Sequence, residues 1–516
     1  MINTLPVPAP GDCRFSGEKL YAAKLVCASS AYAATADLVS LGLSGVGAAG
    51  LRVTEDPSMG ESYAITIGEG YIDIRGGPGG VYSGFSILAA LSETDERGSY
   101  FPQGSIAGKP KYGYRGVMLD VARHFHPLEE VKRLLDIMFR LRLNKFHWHI
   151  ADDQGFRIDL KQYPRLREIA SRRASTACGG YIRNRGDDGA PHSGCYSEEE
   201  VREILAYAAI RGIEVIPELD MPGHMSALIA AYPELSCNGQ AIEVPGHFGI
   251  LRNVLCIGND RALEFMEGLV AGLCDLFGAR TFHIGFDEVK LDQLKTCPQC
   301  QARMQALGLT RVEELKTYAK NRIRDTLKQR GVRVVMYNDG MEAADPEVIC
   351  YYWFMLGKRR KDSVLWINQG QPAIMAPLGG FYLDHPYVLS PLKKTYTLNP
   401  VFPGVTRPEH ILGLEAPLWT EHVADHGKIA FNAYYRMAAL AEIAWHGEAR
   451  RPYGDFMQAL RAREEYYFGE RLDIPQEVLD PGLGRKISLL GKCLLDDMNA
   501  EYTRFQSARE LLHPVG

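Results

Sequence analysis

VMLDVARHFHPLEEVKRLLDIMFRLRLNKFHWHI, from Val117 to Ile150, carries the rhythm that decides the fold. Val117-Met-Leu-Asp-Val121 is a short apolar run of strand type. Pro127 sits where a helix would start, and Val131, Leu134, Leu135 and Met138 follow at helical spacing. Asn144-Lys-Phe-His-Trp-His-Ile150 then returns to strand. One strand, one helix and one strand, all apolar on the buried side, make the unit that forms parallel sheets with right-handed crossovers.

The unit repeats. Ser197-Glu-Glu-Glu200 reads as a capping box ahead of a helix with Val201, Ile204, Leu205 and Ala208 on one face; Gly212 ends it and Ile213-Glu-Val-Ile-Pro217 is the next strand. Further strands are expected at 281–285, 332–337, 348–353, 374–383 (broken by Pro377, Gly379 and Gly380) and 411–414. About eight such units predict a closed (β/α)8 barrel, an α/β fold, with a doubly wound open sheet as the alternative. Ahead of it, Tyr63–Ile67 and Tyr71–Arg75 alternate as half-buried strands, Gly76–Gly80 reads as a turn, Val81–Leu91 as a helix and Gly104–Tyr112 as a linker. The expected organisation is a small α/β domain over 1–110, a catalytic barrel over 111–450 and a helical extension packed outside the barrel over 451–516.

Bulk properties narrow the function. Of 516 residues, 46% are hydrophobic and 23% charged, which is globular. A net charge of −5 speaks against nucleic acid or an anionic membrane as partner and leaves a neutral small substrate and a homo-oligomer open. The most apolar stretch, Ala31–Val53, carries Asp37 and Arg52 and is a poor membrane span, and Met1–Pro10 lacks the features of a secretory signal, so a cytoplasmic location is expected. Eleven cysteines without a small-scaffold pattern suit free thiols. Cys297-Pro-Gln-Cys300 is a lone CxxC, and neither Cys274 nor His283 completes a zinc spacing, so a reduced pair and no metal or other cofactor are expected.

The chemistry collects just past the strand ends: Asp120 and Arg123, then Asp152 and Asp153, then Glu218, Asp220 and His224, then Asp287 and Glu288, then Asn338 and Asp339, then Asp384 and His385, and last Trp419 and Glu421. Singly, an acid after a strand reads as a helix cap, and His147 and His149 as barrel filling. In a barrel, however, these positions converge on one mouth, where active sites are built. Asp287-Glu288 is the strongest element, because two adjacent carboxylates can be buried together only if one is neutral or well bonded, and glycosidases need such an asymmetric pair.

Six stretches together resemble glycoside hydrolase family 20, the β-N-acetylhexosaminidases: Arg115–Arg123, Asn144–Arg157, Val215–His224, His283–Glu288, Phe381–Asp384 and Gly413–Glu421. The resemblance implies a retaining exo-enzyme that releases terminal β-linked N-acetylglucosamine or N-acetylgalactosamine from an oligosaccharide or glycoconjugate. In that reading Glu288 is the acid/base, the substrate's own acetamide is the nucleophile, Asp287 accepts the acetamide N–H, and Tyr382 donates to its oxygen. Arg115 would bond the 3- and 4-hydroxyls, and Asp384 and Glu421 the 4- and 6-hydroxyls. Trp419 would stack on the sugar and, with Trp353, wall the acetamide methyl. Tyr337 would line the pocket, and Asp152 and His224 would orient the acid. Phe156 and Tyr337 stand where the family pattern has Trp, and the loop from His385 to Pro403 offers Tyr387 and Tyr396 in place of another, which predicts an altered leaving-group side. Rival readings are a lacto-N-biosidase or 6-sulfo-N-acetylglucosaminidase on the same barrel, an inactive sugar-binding module, and a metal-dependent hydrolase using His147, His149, Asp152, Asp153 and His224.

Overall fold

The computed structural model describes residues 6–180, 182 and 184–512; the first five residues of the N-terminal stretch read above for a targeting signal lie outside them. Eight parallel strands follow one another round a closed barrel: Tyr114–Asp120, Lys145–His149, Glu214–Met221, Thr281–Gly285, Arg333–Tyr337, Val348–Tyr352, Ala373–Met375 and Ile411–Leu418. The last pairs with the first from Gly413 opposite Tyr114 to Leu418 opposite Leu119, which excludes the open sheet. All seven residues of the first strand are buried, because one side faces the barrel interior and the other the surrounding helices. Helix Leu128–Arg140 presents Val131, Leu134, Leu135 and Met138 to the strands, with Pro127 as its cap. In helix Glu198–Ala209 the capping box forms in both directions, Ser197 Oγ accepting from Glu200 N at 3.1 Å and Glu200 Oε2 from Ser197 N at 2.7 Å.

The barrel interior is unusually polar. His147 faces Glu415 at 2.8 Å and Glu218 at 3.0 Å, and His283 faces Glu218 at 2.9 Å. The rings of His147 and His283 stack 4.8 Å apart, and Tyr114 donates to Glu415. Burial alone would lower the histidine pKa values, but Glu415 and Glu218 raise His147 to about 9, and Glu218 with Asp152 raises His149 to about 10. Imidazolium and carboxylate therefore neutralise each other beneath the mouth and give its floor a fixed shape.

The N-terminal unit is a seven-stranded sheet in the order Asp12–Tyr21, Gly98–Gly108, Tyr63–Ile67, Tyr71–Gly76, Ala48–Glu55, Lys24–Cys27, with Glu93–Asp95 also paired to Gly98–Gly108. Helix Pro78–Leu91 docks the unit on the barrel, where Ser86 Oγ donates to the Phe139 carbonyl at 2.7 Å. Several boundaries differ from the sequence reading: helix Pro78–Leu91 starts inside the expected Gly76–Gly80 turn, and the third and eighth barrel strands run on to Met221 and Leu418. Gly104–Gly108 is not linker but the end of a strand held from both sides, by Asp12–Tyr21 and Tyr63–Ile67. The seventh barrel strand stops at Met375, because Pro377 and the following glycines free the chain for a loop over the mouth.

Candidate active site

Side chains from all eight strand ends meet in one cavity of about 560 Å³, lined by Arg123, Asp152, Asp220, His224, Asp287, Glu288, Tyr337, Trp353, Tyr382, Asp384, Trp419 and Glu421 among others. The first strand supplies its organiser. Asp120 Oδ1 accepts from the backbone N–H of Ala122 at 2.8 Å and of Arg123 at 3.1 Å, and Oδ2 accepts from Thr420 N at 3.1 Å. This turns Arg123 into the cavity, where it pairs with Asp152 at 2.7 Å and lies over the Trp419 ring at 4.9 Å.

The fourth strand ends in a tight turn with three positive φ values. Gly285 has φ +66°, and a Cβ there would come within 1.8 Å of Asp220 Oδ1. Phe286 and Glu288 adopt φ values of 68° and 50°, left-handed conformations that residues other than glycine rarely take. The turn is held by Asp220 Oδ1, which accepts Phe286 N–H at 2.9 Å, and by Asp339 Oδ2, which accepts Glu288 N–H at 3.0 Å. Asp339 Oδ1 also receives the Trp353 indole N–H at 2.8 Å, tying the wall of the pocket to the turn.

Asp287 and Glu288 consequently differ. Asp287 is buried, and burial followed by the charge of Asp339 pushes its pKa up to about 7, against the opposing effect of His224. Its neighbour Asp220 is pushed well above the carboxylate range by burial and by Asp287. The Glu288 side chain is 28% exposed, and its Oε2 lies 3.6 Å from His224 Nε2. On the other side of that ring, Nδ1 faces Asp152 at 3.2 Å and Asp153 at 3.5 Å; these charges overcome the effect of burial and raise His224 well above its usual pKa. Asp152, His224 and Glu288 thus form a polar chain from the floor to the open side of the cavity.

At the opposite wall, Asp384 and Glu421 are each pushed up to about 7 by burial. Asp287 Oδ1 and Asp384 Oδ1 are buried without a hydrogen-bond partner among the described residues, and such atoms call for a ligand that donates. Trp353 and Tyr382 stand 6.4 Å apart, while the Trp419 indole is directed at the Tyr382 hydroxyl. The arrangement offers one accessible acid, one buried anion-forming pair, aromatic walls and unpaired acceptors, which is a fit for a polyhydroxylated, acetamido-bearing ring.

Arg115 is not part of it. Five residues before Asp120 on the same strand, it lies ~16 Å back along that strand, at the end of the barrel away from the cavity. There it donates to the carbonyls of Arg142, Tyr112 and Gly113 and pairs with Glu61 at 3.2 Å. The arginine in the cavity is Arg123, whose place after the strand end was the available signal. Phe156, Tyr387 and Tyr396 are also absent from the lining. Phe156 is buried in a small hairpin opposite Ala151, Tyr387 donates to the Phe431 carbonyl and Tyr396 to that of Arg451. Of the replacements at Trp positions, Tyr337 alone lines the pocket. The outer rim is built from parts no motif announced: Cys178, Ile182, Phe248, Ile250 and Met498. Met498 comes from the helical extension, where its N–H donates to the Gly179 carbonyl, so this segment reaches the mouth as well as packing outside.

Of the residues weighed as metal ligands, His149, Asp152, Asp153 and His224 contact one another or Arg123, while His147 pairs with Glu218 and Glu415. Donor atoms of Asp152, Asp153 and His224 lie within 4.8 Å of one another, and so do the four sulfurs of Cys237, Cys256, Cys297 and Cys300, the group made of thiols alone. The CxxC therefore does find two further thiols, from a distant loop, which the sequence spacing did not reveal.

Comparison with known proteins agrees with this geometry. The model of the glycosyl hydrolase family 20 catalytic domain matches residues 112–448. The chain is 35% identical over 374 residues to a β-hexosaminidase of Porphyromonas gingivalis, covering 70% of this chain and 46% of that protein, so it spans about half that relative's length. It is 32% identical over 379 residues to a β-hexosaminidase of Akkermansia muciniphila, covering 71% and 75%. A family 20 exo-β-N-acetylglucosaminidase of Vibrio harveyi, solved with N-acetylglucosamine, superposes with a TM-score of 0.76 at 25% identity over 96% of this chain and 79% of its own. With the family's model matched from the first barrel strand through the last and the barrel itself closed, the chain belongs to glycosyl hydrolase family 20.

Proposed function

We propose that this chain is a retaining exo-β-N-acetylhexosaminidase that removes terminal β-linked N-acetylglucosamine or N-acetylgalactosamine by substrate-assisted catalysis. The observation that carries this reading is the asymmetry of Asp287 and Glu288: one turn presents both to one cavity, the first buried with an unpaired acceptor oxygen, the second open on the leaving-group side. Glu288 protonates the glycosidic oxygen as the acetamide oxygen attacks the anomeric carbon. The C–O bond to the leaving group breaks and an oxazolinium forms. Asp287 accepts the acetamide N–H and balances the developing positive charge, and Tyr382 holds the acetamide oxygen in line. Glu288 then takes a proton from the incoming water. Arg123, Asp384 and Glu421 bind hydroxyls at the closed end, with Trp353 and Trp419 as walls. Two buried carboxyl groups there disfavour a sulfated 6-position.

The test compares aryl β-glycosides of N-acetylglucosamine, N-acetylgalactosamine, 6-sulfo-N-acetylglucosamine, lacto-N-biose and glucose, together with a thiazoline mimic of the oxazolinium. The first two substrates should be cleaved, the glucoside should be nearly inert and the thiazoline should inhibit strongly. Turnover of the glucoside at a comparable rate would refute the acetamide as nucleophile.

A further inference from the structure

The four-cysteine cluster stands outside the sugar site and takes no part in the chemistry above. Cys237 follows a short turn at Pro233–Leu235, Cys256 lies farther along the same third-strand loop, and Cys297 and Cys300 sit at the start of helix Pro298–Ala306. The sulfur separations are 3.6 Å for Cys256–Cys297, 3.7 Å for Cys256–Cys300 and 3.9 Å for Cys237–Cys300. A tetrahedron with Zn–S bonds of about 2.3 Å has edges of about 3.8 Å, so these separations are those of one metal's coordination sphere. A disulfide needs sulfurs at about 2.05 Å, and all four cysteines are free thiols.

The surroundings fit the same reading. Cys256 and Cys300 are fully buried and Cys297 nearly so. The Gly258 N–H is directed at the sulfurs of Cys256 and Cys300, as donors to metal-bound thiolates are. Gly258 also has to be glycine, because a Cβ would meet the backbone N of Cys300 at 2.2 Å. Two separate chain segments are thus pressed together to bring the sulfurs into contact. A divalent cation would bind the four groups as thiolates, their protons passing to solvent.

We infer that Cys237, Cys256, Cys297 and Cys300 bind one structural zinc ion that staples the loop after the third barrel strand to the loop after the fourth. With four protein sulfurs the sphere is closed, leaving no position for substrate or water, so the ion is structural. What it fixes is the catalytic mouth. The third-strand loop carries His224, and its Leu255 N–H donates to the Pro222 carbonyl at 3.0 Å. The fourth-strand loop carries Glu288 and reaches Cys297 through helix Asp292–Thr296. The ion holds the two sides of the His224–Glu288 contact in register.

The experiment is elemental analysis of the full chain purified under reducing conditions from zinc-supplemented cells. Cobalt exchange of the same protein and variants Cys237→Ser and Cys300→Ser accompany it. Close to one zinc per chain is expected, with tetrahedral thiolate–cobalt bands after exchange, and both variants should lose the metal and unfold at lower temperature. Should the variants fail to fold, the metal content and cobalt spectrum of the unaltered protein still decide the matter. Metal-free protein, iron in place of zinc, octahedral cobalt bands, or disulfides among these four cysteines in the native protein would each overturn the assignment.

Discussion

The carboxyl groups of Asp220 and Asp287 lie within 4.8 Å of each other, and burial with mutual repulsion leaves one proton between them at neutral pH. Asp220 is pushed well above the carboxylate range by burial and by Asp287, and its Oδ1 is engaged by the Phe286 N–H, so Asp220 is expected to hold that proton and to share it with Asp287 through its other oxygen. A permanent donor should therefore imitate the native state. Asp220→Asn keeps an oxygen for Phe286 and offers an N–H to Asp287, and it should retain activity near pH 7. Asp220→Ala supplies neither and should lose at least tenfold in kcat. In the native enzyme, kcat/KM should fall below about pH 7 as Asp287 takes up the second proton. The Asn variant should keep this acid limb and lose any alkaline limb due to Asp220. Equal damage from Asn and Ala would show that Asp220 acts by shape alone.

The histidines inside the barrel make a separate prediction about stability. His147 and His149 are raised to about 9 and about 10 in the folded state, against about 6.5 unfolded. Folding takes up protons between these values, so the stabilisation is complete below about pH 6.5 and is lost as pH rises through 9 to 10. Thermal midpoints should decline from about pH 7 to pH 10 and level off above. Glu218→Gln removes the carboxylate facing both rings, and should cost about 3 kcal/mol at pH 7 but flatten the alkaline decline. A variant that kept the full slope would show that these histidines are neutral when folded.

Most of the barrel was legible because it is written locally. Each strand is a short apolar run, each helix carries its own periodicity, and the polar residues that line the cavity follow the runs directly, as Asp287 and Glu288 follow Thr281–Gly285. Arg115 misled because it lies on the strand rather than after it, and position along a strand decides which end of a barrel a side chain serves. The rim was not legible, since Met498 and Ile182 come from segments whose placement depends on long-range packing. The sulfur cluster was hidden for the same reason: Cys256 and Cys297 are 41 residues apart in sequence, and neither Cys237 nor Cys256 has a partner at ligand spacing on its own loop.

Arg123 and Arg115 give opposite signatures under the same substitution. Arg123→Lys keeps a charge in the cavity but loses the planar fork that spans Asp152, Asp120 and Gln154, and with it the hydroxyl-binding donors. It should raise KM and lower kcat/KM by ten- to a hundredfold with a modest change in thermal midpoint. Arg115→Lys leaves buried carbonyls of Tyr112 and Arg142 without a donor. It should destabilise by about 3 kcal/mol while kcat and KM stay near native values. A KM effect from Arg115→Lys at a temperature where the variant is fully folded would contradict the placement described above.

Asp287 and Glu288 are adjacent in sequence, and kinetics can separate them. Glu288→Gln removes the proton donor, so loss should be greatest for poor leaving groups such as the sugar of a chitobiose-like substrate and much smaller for an activated aryl glycoside. Asp287→Asn leaves the donor but replaces the anionic acceptor with a neutral amide, so the oxazolinium loses its counter-charge whatever the leaving group. A charge-assisted hydrogen bond contributes roughly 1.5–3 kcal/mol in ordinary contexts and more in a dry site where charge develops. The expected loss is about a hundredfold or greater in kcat, with a smaller change in KM because the interaction strengthens in the transition state. Azide should not rescue Asp287→Ala, since azide replaces a missing nucleophile and here the nucleophile belongs to the substrate. Formation of a glycosyl azide from Asp287→Ala at near-native rates would instead identify Asp287 as a covalent nucleophile, and the carboxylate would then have to reach the anomeric carbon rather than the acetamide nitrogen.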